Sequence, residues 1–273
     1  MHSTLGFSLN RISAPTASFA DFAAMAQRLG VGTIEIRNDL AGVELLDGTD
    51  AADIGSIAIA HGLTIRSINA LQRFEQFDAV RAAEAHRLAS VASRCGAQSL
   101  VLCPSNSRSD QRCASQRHDD LVHALVQLAP LLGGYGITGL LEPLGFEECA
   151  MRRKSQAVAA IRDSGGSGLF ALVHDTFHHH LAGENLTFAD HTGLVHISGV
   201  EDTGLSAADM RDGHRVLVGP ADRLDNVGQL RTLLGAGYSG VASFEPFASE
   251  IGTAKDIEAR LRASMAYLRS KLA

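Results

Sequence analysis

Short apolar runs and apolar residues at helical spacing alternate along the whole chain. Runs at residues 5–9, 33–37, 63–68, 99–103, 137–142, 169–175, 194–198 and 241–245 read as strands. Between them lie helical patterns at 19–29, 51–61, 78–95, 118–132, 154–163, 177–181 and 224–234, with a last one at 253–272. Gly30, Gly62, Gly96 and Gly235 close four of these helices, and Ser18 is placed to cap the first. Residues 105–116 and 200–221 read as polar loops. Eight strands alternating with eight helices predict a parallel sheet, and that number favours closure into a single (β/α)8 barrel domain over residues 1–273. No G-x-G-x-x-G follows the first strand and no G-x-x-x-x-G-K-[ST] is present, which removes the main support for a nucleotide-binding sheet.

Four of the strand signals deliver a chemically active residue at or near the C-terminal end. Leu140-Leu141-Glu142-Pro143 ends in Glu142, and Val173-His174-Asp175 ends in Asp175. Leu194-Val195-His196-Ile197-Ser198 carries His196, and Ser243-Phe244-Glu245-Pro246 ends in Glu245. A buried carboxylate normally has a cation or hydrogen-bonding partner, because burying it alone is expensive. In a closed parallel barrel all strand C-termini meet at one face, so these four distant residues become one cluster. Three carboxylates and an imidazole make a hard, mainly oxygen site that suits one divalent ion, Mn²⁺, Mg²⁺, Co²⁺ or Zn²⁺.

Composition changes the picture little. The chain is 45% hydrophobic and 20% charged, as expected of a globular protein. It has no Trp and 5% aromatics, so the core is expected to be aliphatic. A net charge of −6 weighs against a nucleic-acid partner. No run approaches the ~20 apolar residues of a membrane span, and no signal-peptide pattern opens the chain. Cys95, Cys103, Cys113 and Cys149 form no C-x-x-C pair and read as reduced residues of a cytoplasmic protein.

The segments Glu142-Pro143-Leu144-Gly145-Phe146, Asp175-Thr176-Phe177-His178, Val195-His196-Ile197-Ser198 and Phe244-Glu245-Pro246-Phe247 resemble the xylose-isomerase-like barrel superfamily. Within it the chain is most similar to the sugar phosphate isomerase/epimerase group, and to the inosose isomerases of inositol catabolism in particular. Residues 67–74 and His214-Arg215-Val216-Leu217 add to that likeness. The resemblance implies a metal held by Glu142, Asp175, His196 and Glu245, with Glu142 and Glu245 also moving a proton, one on each face of a small polyol or keto-sugar substrate. It implies proton transfer through a metal-stabilised enediolate. One carboxylate that takes and returns the proton gives isomerisation; a second that returns it on the other face gives epimerisation. A dehydratase of a keto-inositol or a dehydroshikimate-like acid on the same scaffold shares the enolisation and then expels a hydroxyl. Homo-oligomers are common among similar proteins.

The resemblance also places His178 against a substrate hydroxyl. Arg215, in the long loop, offers a guanidinium fork for substrate oxygens. Asn69 and Gln72, at the end of the third strand, are candidates to bind substrate hydroxyls. Arg152 and Lys154 are candidates to close over a polyol or a phosphate, although the same run is what a solvated helix start looks like. His179 and His180 are expected at the surface and His174 in a structural role. Glu35, with Arg37 nearby, is either half of a buried ion pair or a substrate contact. Related three-metal DNA-repair endonucleases need histidines where this chain has Asn69 and Cys103, so that activity and a non-catalytic sugar-binding role rank below the isomerase.

Overall fold

The computed structural model describes residues 5–273. The apolar runs become parallel strands: β1 (Gly6–Asn10), β2 (Thr33–Arg37), β3 (Thr64–Gln72), β4 (Ser99–Cys103), β5 (Thr138–Leu141), β6 (Phe170–Asp175), β7 (Thr192–Ile197) and β8 (Val241–Phe244). They pair in chain order, and β1 also pairs with β8, so the sheet closes into a (β/α)8 barrel. The outer helices are α1 (Phe19–Arg28), α2 (Ala51–Ala60), α3 (Ala79–Cys95), α4 (Ala114–Gly134), α5 (Lys154–Asp163), α6 (Thr176–Ala182), α7 (Asn226–Gly235), α8 (Ser249–Gly252) and α9 (Ile257–Leu272). No helix among the described residues is long and apolar enough to cross a membrane.

Strands in such a barrel are buried on both faces, so successive side chains alternate between two interiors. Leu100, Leu102, Leu141, Leu172, Val195 and Ile197 point outward into the main core beneath the helices. Val101, Leu140, Val173 and Leu194 point inward, where with Ala70 and Cys103 they form an apolar plug inside the barrel. The plug is aliphatic, as the shortage of aromatics predicts.

Three predicted elements differ from the observed ones. β3 runs on to Gln72, so Asn69 lies inside the strand and only Gln72 ends it. A register shift against β4 between Ile68 and Leu71 accompanies the extension. α4 starts at Ala114, four residues before its apolar period begins, because the Gln116 side chain accepts a 2.8 Å bond from the Cys113 backbone N–H. The last predicted helix, 253–272, begins only at Ile257 as α9, and the short α8 ahead of it is not among the predicted elements; Gly252 packs beneath the Pro15 ring where α8 ends.

Candidate active site

Glu142 follows the last residue of β5, Asp175 ends β6, His196 is the penultimate residue of β7, and Glu245 follows β8. Barrel closure brings the four together. Each offers a ligand atom, and these atoms lie within 4.8 Å of one another. All four side chains are buried. The imidazole sets the geometry. His196 Nδ1 lies 2.8 Å from Glu142 Oε1, 3.2 Å from Glu245 Oε2 and 3.9 Å from Asp175 Oδ2. Its other nitrogen, Nε2, lies 3.1 Å from Glu35 Oε2. Three carboxylates turned on one ring nitrogen are a donor set that a divalent cation complements in both charge and hardness.

Two arginines also hold the carboxylates. Arg215 Nη2 donates to Asp175 Oδ2 (2.6 Å) and Glu245 Oε2 (2.9 Å), its Nε to Ser198 Oγ (3.0 Å) and its Nη1 to Asp212 Oδ1 (3.1 Å). Arg37 Nη1 donates to Glu245 Oε1 at 2.8 Å, while Asp39 grips the rest of that guanidinium at 2.8 and 2.7 Å. The Phe247 ring faces both guanidiniums, 5.1 Å from Arg37 and 4.7 Å from Arg215.

Charge follows from these contacts. Burial works against the Glu245 carboxylate, but His196, Arg215 and Arg37 outweigh it and hold the group well below the usual range. Burial likewise opposes ionisation of Glu35, and the facing His196 brings its carboxyl down to about 2. Burial disfavours the charged His196 ring, yet Glu245, Glu35 and Glu142 together push it well above an ordinary histidine. Burial and the neighbouring Glu142 raise the Cys103 thiol, so it stays protonated.

A cavity of about 210 Å³ opens above the cluster. Of the residues predicted to bind substrate, Asn69, Gln72, His178 and Arg215 line it together with Glu142 and Glu245. His178 Nδ1 is buried with no partner among the described residues. Arg152 is the exception. Its guanidinium donates to the carbonyls of Gly145 (2.9 Å) and Leu181 (3.0 Å), tying the loop after β5 to α6 outside that cavity. Lys154 is neither a solvated helix start nor a lid. It is buried, with Nζ 2.7 Å from His174 Nδ1, and burial lowers it to about 7. His174 is buried on the outer face of β6, as expected. His179 is half-buried against it rather than at the surface, at 4.7 Å between rings, and His180 is also only part-exposed. The Glu35–Arg37 pair does not form: both side chains turn inward, Glu35 to His196 and Arg37 to Glu245.

The loop after Glu142 is fixed by Gly145, which sits at φ +72° with its Cα against the His178 carbonyl. A Cβ there would collide with backbone, so Gly145→Ala is expected to cost more than about 1 kcal/mol. A thermal melt of the variant, lowered relative to wild type, checks this; an unchanged melt contradicts the close approach.

A family model described as xylose isomerase-like TIM barrel matches residues 23–271. The chain belongs to this family. An inosose isomerase of Bacillus licheniformis is 33% identical over 138 residues, covering 47% of this chain and 47% of that protein, so the match spans about half the length of the curated relative. A solved xylose isomerase domain containing protein from Salmonella typhimurium LT2 superposes with a TM-score of 0.89 at 32% identity, over 100% of this chain and 98% of that one. The IolI protein, solved with a zinc atom, superposes with a TM-score of 0.86 over 98% of this chain and 99% of its own, at 22% identity, a likeness of fold. Family membership is that read from the Glu-Pro-Leu-Gly and Asp-Thr-Phe-His segments, and the closed barrel is that read from the eight alternating strand and helix signals.

Proposed function

We propose that this family member is a divalent-metal-dependent isomerase of a small, uncharged polyhydroxy ketone, an inosose or related keto-sugar. The observation that carries the proposal is the convergence of Glu142, Asp175 and Glu245 on His196 Nδ1 beneath a small cavity. The partial match to an inosose isomerase supports the substrate class. A divalent ion held by these four residues supplies a Lewis acid that polarises the substrate carbonyl and makes the neighbouring C–H easier to ionise.

The protein supplies the proton transfer and the selection. Glu142 Oε2 has only the Cys103 thiol at 3.4 Å, whereas each oxygen of Glu245 is gripped by a guanidinium. Glu142 is therefore the carboxylate free to take the proton. Its return by the same group favours isomerisation over epimerisation. Asn69, Gln72 and His178 are positioned to bind hydroxyls, and the cavity volume falls below the roughly 300–1,000 Å³ of drug-sized ligand sites.

Charge argues for a neutral substrate. Asp39, Glu142, Asp212 and Glu245 line the cavity against Arg37 and Arg215. Both guanidiniums are already paired with carboxylates. Among the described residues no unpaired cation in the lining awaits a phosphate or carboxylate, which argues against a phosphorylated sugar or a dehydroshikimate-like acid.

The test is metal analysis followed by proton exchange in deuterated water. About one divalent ion per chain is expected, with exchange at the carbon beside the carbonyl of neutral inososes or ketoses, product mass otherwise unchanged, and none with phosphorylated ketoses. Loss of water would identify a dehydratase instead. Absence of bound metal after reconstitution would remove the proposal.

A further inference from the structure

Glu35 lies beneath the cluster, fully buried, and does not line the cavity, so substrate contact does not account for it. One oxygen, Oε2, collects three donors: Ser67 Oγ at 2.5 Å, Asn69 Nδ2 at 2.9 Å and His196 Nε2 at 3.1 Å. Its other oxygen has no partner among the described residues, nor do the hydroxyls of Ser8 and Ser243. Ser243 is the register neighbour of both Ser8 and His196. A carboxylate is costly in such a place, and a well-packed apolar residue would often be neutral or stabilising. Its presence there points to work done through His196.

Resting on the metal reading above, we infer that Glu35 is a positioning residue for that metal: by accepting the Nε2 proton of His196 it fixes the ring tautomer and turns Nδ1 toward Glu142, Asp175 and Glu245. A carboxylate accepts only, so a neutral ring that donates to Glu35 carries its proton on Nε2 and offers the Nδ1 lone pair to a cation that takes the place of the Nδ1 proton. A partner of this kind on a metal-ligating histidine raises the basicity of the ligand and locks its orientation. Ser67 and Asn69 hold Glu35 in turn. Asn69 also reaches the cavity, so it links the substrate side to the ring.

The experiment is zinc titration against a chromogenic chelator, with the zinc-induced rise in melting temperature recorded in parallel. Wild type, Glu35→Gln, Glu35→Ala and Ser67→Ala are compared. Zinc affinity is expected to fall about 10–100-fold in Glu35→Gln, at least as far in Glu35→Ala and less in Ser67→Ala. The rise from metal-free to zinc-bound melting temperature should shrink in the same order, which separates affinity from any loss of stability. Nitrogen chemical shifts of His196 in zinc-loaded wild type should show a protonated Nε2 and a coordinated Nδ1, a readout that needs no variant to fold. Unchanged zinc affinity in folded Glu35→Gln, or a coordinated Nε2, overturns the inference and leaves the metal reading intact. Wild type that binds no zinc overturns both.

Discussion

Glu142→Gln is expected to slow proton exchange on a neutral keto-polyol by about 10²–10⁴-fold, the usual contribution of a positioned general base. The amide keeps the shape of the side chain and an oxygen toward His196 but accepts no proton. The measurement is deuterium incorporation with wild type and variant both saturated with the same metal, so that weaker metal binding is not mistaken for lost basicity. Glu245→Gln under the same conditions should retain more of its exchange, because both Glu245 oxygens are engaged by Arg37 and Arg215. Equal losses in the two variants would return the proton transfer to a two-carboxylate scheme and favour epimerisation. Exchange within a few-fold of wild type in Glu142→Gln would remove it as the base.

Arg215→Met should have the largest effect on stability. This buried guanidinium pairs with Asp175 and Glu245, and its loss leaves two buried carboxylates without that cation. Breaking a buried pair by removing one partner costs about 3–5 kcal/mol, a fall in melting temperature on the order of 10 °C for a chain of this size. A saturating divalent ion should recover part of the loss, since it replaces the missing charge; at a hundredfold excess over Kd, binding alone contributes about 2.7 kcal/mol. The comparison is Arg28→Met, whose ion pair with Glu258 is exposed and contributes about 0–1 kcal/mol. Similar melting temperatures for the two variants would mean that Arg215 does not hold the cluster.

These residues differ in how openly the sequence announces them. Glu142, Asp175 and Glu245 are legible because each interrupts an apolar run at its C-terminal end, and the barrel rule then supplies their neighbours without further information. His178 is read only from the likeness of its Asp-Thr-Phe-His segment, and the structure adds a physical reason for its place: Asp175 Oδ1 accepts the His178 backbone N–H at 3.0 Å and starts α6. Glu35 and Arg37 are legible only as inward-facing neighbours on one strand. Local pairing is the natural expectation for them, whereas their partners, His196 and Glu245, stand 161 and 208 positions away. Arg152 and Lys154 mislead for the opposite reason. A basic run beside a site suggests ligand binding, but Arg152 is spent on the backbone carbonyls of Gly145 and Leu181 and Lys154 on His174. The extent of β3 escapes because Asn69, which carries the strand past Ile68, is a polar residue buried against Glu35 rather than in an apolar face.

The inside of the barrel divides the chain into two regimes of inheritance. Val101, Leu140, Val173 and Leu194 answer only to volume, and exchanges among aliphatics of similar size there typically cost under about 1.5 kcal/mol. Such positions can drift one at a time. Glu35, Ser67, Asn69 and His196 share a single carboxylate oxygen, so a change at one alters what the other three must satisfy. Across relatives that part of the lining is expected to vary as a set or not at all, while the plug beside it wanders freely.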